Sequence, residues 1–120
     1  MIEATCHCGA VRIEIAEPPV AVTECNCSIC RRLGARWAYY RPDQVRIICE
    51  PGATTGYVQG DRTLATHHCN VCGCITHWES IDPAFTDRMG VNSRLIDPAI
   101  MEGIRVRRFD GADTWTYFEE

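Results

Sequence analysis

A chain of 120 residues, 46% of them hydrophobic, has room for one domain on one core and is too apolar for a disordered tail. No apolar run approaches the ~18 residues of a membrane span, and 16 acidic against 12 basic residues give a formal charge of −4, which repels phosphate backbones. Neither a membrane nor a nucleic-acid partner is therefore expected. The first residues, 1–6, lack the basic start and apolar stretch of a secretory signal, so the expected location is cytoplasmic, with residues 1–120 forming a single domain.

In chain order, Cys6-His7-Cys8-Gly9 comes first, followed by the alternating, β-branched run 11–15, which predicts a half-buried strand. Pro18-Pro19 breaks the chain before a strand at 21–24, and Cys25-Asn26-Cys27-Ser28-Ile29-Cys30 leads into a short helical turn. Strands are predicted at 37–40, 45–49, 54–58 and 63–68, separated by the turn signals Arg41-Pro42-Asp43, Pro51-Gly52 and Gly60-Asp61. Cys49, alone on its strand, reads as a buried small hydrophobe. Cys69-Asn70-Val71-Cys72-Gly73-Cys74 precedes strands at 75–78 and 89–92, a helical turn at 98–102 and a last strand at 104–109. The predicted class is mainly β, with short strands and little helix.

Nine cysteines are a heavy load for this length. The count is odd, and eight of the nine sit in tight groups, a pattern that favours metal over a disulfide framework in a reducing compartment. Zinc fits best, because thiolates about 2.3 Å from a tetrahedral ion lie only a few ångströms apart. Cys69-x-x-Cys72-Gly73 has knuckle spacing, its glycine free to take a positive φ. Cys6-x-Cys8-Gly9 puts two thiols on one side of an extended backbone. Together Cys6, Cys8, Cys69 and Cys72 make a closed, structural four-thiolate site. Cys25, Cys27 and Cys30 supply three thiols, which is the pattern of a catalytic zinc with an open position. The competing reading closes this second site with Cys74, His77 or His68, and an iron centre is a weaker alternative.

These three cysteine motifs, in this order and spacing, resemble the glutathione-dependent formaldehyde-activating family. Gly90-Val91-Asn92, Leu95-Ile96-Asp97-Pro98 and the aromatic end around Trp115 resemble its closing elements. The resemblance runs nearly end to end and implies a β-tent fold of short antiparallel strands joined by zinc knuckles. It implies two zinc ions: a structural one on Cys6, Cys8, Cys69 and Cys72, and a ligand-accessible one on Cys25, Cys27 and Cys30. It also implies a carbon–sulfur lyase acting on a glutathione or other thiol adduct of a small aldehyde such as formaldehyde. Non-enzymatic relatives share the fold, so the alternative is a non-catalytic, zinc-stabilised binding module. The chain departs from the family pattern at His68 and at the additional Cys74.

Zinc-bound thiols are deprotonated, so an incoming thiol such as glutathione could add to an aldehyde at the open position, or leave in the reverse cleavage. No Ser-His-Asp order, carboxylate pair or phosphate loop names a general base. Arg31 and Arg32 could attract the carboxylates of a peptide thiol or could simply be solvated. His7, His67, His68 and His77 are assigned no catalytic role, and Trp37, Tyr39 and Tyr40 are expected in the core rather than in a pocket wall.

Overall fold

Alternation of β-branched and polar residues, interrupted every few positions by glycine or proline, leaves short strands as the only extended structure the chain can repeat. The computed structural model describes residues 1–82 and 84–118. Among them lie ten strands and two one-turn helices: β1 (Ile2–Thr5), β2 (Arg12–Ile15), β3 (Ala21–Cys25), α1 (Cys30–Leu33), β4 (Trp37–Tyr40), β5 (Val45–Ile48), β6 (Thr54–Val58), β7 (Leu64–Cys69), β8 (Ile75–Ser80), β9 (Met89–Asn92), α2 (Pro98–Met101) and β10 (Arg105–Phe109). Pro42–Gln44 and Ser93–Leu95 form 3₁₀ turns.

The strands make two sheets, a small one in the order β1-β2-β5 and a larger one in the order β10-β3-β4-β9-β8-β7-β6. An isolated bridge between Ala4 and Ile96 ties the small sheet to the turn that follows β9. Val11, just before β2, with Ile13 and Ile15 from the small sheet and Val22, Ala38, Tyr40 and Val91 from the large one, fill the core. Period-two alternation explains how β4 serves two places. Ala38 and Tyr40 enter this core, whereas Trp37 joins Ala35 and Trp78 in a second cluster, with Tyr39 packed against it.

Two expectations need correction, and one strand is additional to those expected. β10 pairs with β3 in parallel, from Arg105 beside Ala21 to Phe109 beside Cys25, so the strands are not all antiparallel. A parallel pair needs a long crossover, and the chain between β3 and β10 supplies it. β1 was not predicted, because a four-residue segment that buries only Ala4 carries almost no periodic signal. Cys49 is exposed: β5 ends at Ile48, and Cys49 leads into a turn closed by the Ala53 N–H on the Glu50 carbonyl at 3.0 Å.

Candidate metal centres and the adjoining chamber

Cys6 and Cys8 lie in the turn after β1, where the Gly9 N–H donates to the Cys6 carbonyl at 3.2 Å and Gly9 takes φ 84°. Cys69 ends β7, and the chain reverses through Cys72 and Gly73 (φ 78°) into β8, with the Gly73 N–H on the Cys69 carbonyl at 2.9 Å. A side chain at either glycine would force a left-handed backbone on an L-residue. The two turns meet, so that the sulfurs of Cys6, Cys8, Cys69 and Cys72 all lie within 4.8 Å of one another. Cys6 Sγ is 3.7 Å from Cys8 Sγ, and Cys8 Sγ is 3.7 Å from Cys69 Sγ. Four thiolates at zinc–sulfur distances of about 2.3 Å in a tetrahedron are ~3.8 Å apart, whereas a disulfide requires about 2.05 Å, so the donor set fits zinc. Backbone N–H groups point at these sulfurs: Val11 on Cys6 at 3.3 Å and Val71 on Cys69 at 3.4 Å. The N–H groups of Cys74 and Cys8 hold the Cys72 thiol down at about 5 and those of Cys72 and Val71 lower Cys69, which favours the thiolate at these two sulfurs, while Cys8, against the Ala10 N–H, is pushed up to about 11 by desolvation and the neighbouring Cys69 and Cys6 sulfurs.

The second group forms where β3 ends and α1 begins. Cys25 closes the strand, Cys27 lies in the loop, and Cys30 opens the helix, which stops at Gly34 in the left-handed region (φ 68°). Their three sulfurs lie within 4.8 Å of one another. The Cys27 N–H donates to Cys25 Sγ at 3.5 Å and the Cys30 N–H to Cys27 Sγ at 3.3 Å. Cys25 is held at about 5, chiefly by a hydrogen bond from Cys30, whose own thiol is pushed up by the same contact. Among the described residues no fourth Cys, His, Asp or Glu joins this group. Cys74 instead lies against Cys72 beside the first group. His77 stacks on His67 with centroids 4.5 Å apart and planes 5° from parallel. His68 pairs across to Thr55 on β6.

His67, His77 and Glu79 also bring possible donor atoms together, with His67 Nε2 at 2.5 Å from Glu79 Oε2. The rings lie face to face, however, so their in-plane lone pairs run side by side and do not converge on one ion. Burial, and then the neighbouring His67, hold His77 down at about 4 and therefore neutral.

Two cavities adjoin the second group. The larger, about 610 Å³, is floored by Cys25, Cys27 and Cys30. Trp37 and Tyr39 from β4 and Trp78 from β8 form one wall. Phe85, Phe109, Trp115 and Tyr117 also line the cavity. Trp37 and Tyr39 thus line this cavity as well as meeting the core expectation. Trp37 is 2% exposed and also packs in the second cluster, while Tyr40 is wholly a core residue, its hydroxyl on the Glu17 carbonyl at 3.0 Å. Bordering Cys25 and Cys30 as well, a cleft of about 220 Å³ is lined by Glu24 and by Arg31, Arg94 and Arg108. Arg32 is turned away, bonded to the Ser28 carbonyl at 2.6 Å.

The family model for the glutathione-dependent formaldehyde-activating enzyme matches residues 1–105. The chain belongs to this family. A curated Halomonas elongata protein, provisionally named a glutathione-dependent formaldehyde-activating enzyme, is 42% identical over 40 residues. That alignment takes in 32% of this chain and 26% of the relative, so the chain spans about a quarter of the curated protein it matches. A crystal structure of a Rhodobacter sphaeroides protein superposes with a TM-score of 0.72 at 31% identity, covering 88% of this chain and 99% of that one.

In this family member the segment after residue 105 packs against the second cysteine group, a contact the sequence motifs do not signal. A Cβ on Gly111 would lie 2.5 Å from Cys25 Sγ, and the Gly111 N–H helps lower the Cys25 thiol. Asn26, between two of the cysteines, clamps this segment by donating to Asp110 Oδ1 at 3.1 Å and accepting from the Ala112 N–H at 3.0 Å. Trp115 takes φ 60°, a strained value for a bulky residue, and is held by its N–H on the Asp110 carbonyl at 2.7 Å.

Proposed function

We propose that the chain is a carbon–sulfur lyase acting on the adduct of glutathione, or a similar thiol, with a small aldehyde such as formaldehyde. In this reading Cys6, Cys8, Cys69 and Cys72 hold a structural zinc, and Cys25, Cys27 and Cys30 hold a second one. The observation that carries it is the three-sulfur group at the floor of a cavity, with no fourth protein donor among the described residues. Zinc held there would act as a Lewis acid that keeps a thiol deprotonated at neutral pH.

The chain's own residues bind and orient. Arg31, Arg94 and Arg108 face the smaller cleft and attract the carboxylates of a peptide thiol. Glu24 in the same cleft is matched by Arg36 at 2.7 Å, and Arg94 is fixed by its Nε on the Gly34 carbonyl at 2.7 Å. The aromatic walls offer apolar contact to the carbon being released. In cleavage the carbon–sulfur bond breaks with its electron pair going to sulfur, the adduct hydroxyl becomes the aldehyde carbonyl, and the hydroxyl proton ends on the thiol. No oxidant or reductant is needed, and a reducing cytoplasm suits nine unpaired thiols.

Exchange spectroscopy by NMR on formaldehyde and glutathione tests this reading. The zinc-loaded protein should accelerate interconversion of the adduct and its components above the uncatalysed background, and Cys30→Ser should remove the acceleration while the fold persists. Thiol binding without acceleration would leave a non-catalytic binding module and remove the lyase.

A further inference from the structure

The chamber over the three-cysteine group is much larger and more aromatic than a one-carbon aldehyde requires. A volume of about 610 Å³ falls in the range of sites that enclose drug-sized ligands, whereas a hydroxymethyl group adds two heavy atoms to the sulfur. All three tryptophans of the chain line it, together with two tyrosines and two phenylalanines. Among the described lining residues the one cation is Arg88, whose guanidinium lies 4.8 Å from the Tyr39 ring centroid, and there is no carboxylate. Such a surface gives little to the two carboxylates and the ammonium of glutathione, and the arginines of the cleft beside Cys25 and Cys30 match the carboxylates better. It is well suited to a flat apolar group, through area burial and edge or stacked ring contacts.

The walls are ordered for that purpose. Trp78 meets Tyr39 edge-on with centroids 6.0 Å apart, and Phe109 meets Trp115 at 5.0 Å and Tyr117 at 4.9 Å. Tyr117 is fixed by its hydroxyl on Thr23 Oγ1 at 2.9 Å and by Arg107 over its ring at 3.7 Å. Phe109, Trp115 and Tyr117 lie beyond the residues that the family model matches, so these three rings are features of the chain beyond the matched region.

Building on the lyase reading, we propose that the carbon side of the cleaved bond carries an aromatic or comparably bulky apolar group seated in this chamber. The preferred substrates are then thiol adducts of aromatic aldehydes rather than of formaldehyde. The balance is that of the simpler reaction: the thiohemiacetal loses its carbon–sulfur bond, sulfur keeps the electron pair, and the hydroxyl proton moves to the thiol as the aromatic aldehyde forms.

Two inert thioethers test the chamber without requiring turnover. Titrating the zinc-loaded protein with S-benzylglutathione and S-methylglutathione, and following tryptophan fluorescence, should show at least tenfold tighter binding of the benzyl compound. Phe85 is 47% exposed on the chamber rim, so Phe85→Ala should fold normally and narrow that ratio at least threefold. A ratio near one, binding of neither compound, or a ratio untouched by Phe85→Ala would overturn the proposal. The lyase reading fails separately. A tenfold preference with no turnover of any adduct removes the lyase and keeps the chamber, while turnover of the formaldehyde adduct with a ratio near one does the reverse.

Discussion

Gly111 shows how much of the second site depends on a single missing methyl group. Its φ lies outside the left-handed region, and what opposes alanine is space: the Cβ would sit 2.5 Å from Cys25 Sγ and 3.2 Å from Cys27 Cβ. Gly111→Ala must push Cys25 away from its partners or lift the whole C-terminal segment. Residues that orient metal ligands typically cost about 10- to 100-fold in affinity when changed. Competition with a chelator should therefore show one of two zinc ions leaving Gly111→Ala some 10- to 100-fold more readily, with the other unaffected. Equal retention of both ions would show that Gly111 does not support the site. Gly90 is a similar case at the cluster behind the chamber, where a Cβ would lie 2.0 Å from Trp78 Nε1. Neither glycine could be distinguished in the sequence, because the reason for each is a contact with a side chain distant along the chain.

The secondary-structure elements divide the labour between the two cysteine groups. The first joins the turn after β1 to the β7–β8 turn and so staples the small sheet to the large one. The second lies within one stretch, from the end of β3 to the start of α1. A structural zinc contributes on the order of 10 kcal/mol to folding, comparable with the whole stability of a small domain. Cys72→Ser should unfold or aggregate, whereas Cys30→Ser should loosen its local loop and leave a cooperative melt by circular dichroism. Equally severe losses in the two variants would contradict this division. The knuckles were legible because their chemistry is local: Cys-x-Cys-Gly and Cys-x-x-Cys-Gly fix both ligand spacing and the turn that follows. Most strands were legible by alternation, as in Val11 to Ile15. β1 was too short to alternate visibly, and Cys49 followed the periodicity of a strand that in fact ends one residue earlier.

At the scale of the whole molecule, the chamber exists only because β4, β8, the Phe85 loop and the segment after β10 converge on the three sulfurs. Nothing in the sequence around Trp37 or Tyr39 separates a core position from a pocket wall, since both are satisfied by an apolar neighbour and differ only in what stands opposite. The parallel pairing of β10 with β3 brings Phe109 beside Cys25 and carries Gly111, Trp115 and Tyr117 over the site. The two cysteine groups thereby differ in their donors, four sulfurs joining the two sheets and three bordering two cavities, and the account rests on that difference. Zinc-edge X-ray absorption on the fully loaded protein, with and without saturating glutathione, tests it most directly. With four sulfurs in one group and three in the other, the average sulfur coordination per zinc should rise from about three and a half toward four as the thiol enters the second site, and Cys30→Ser should abolish the rise. An average already at four, unchanged by glutathione, would mean that the second site is closed and would contradict the account.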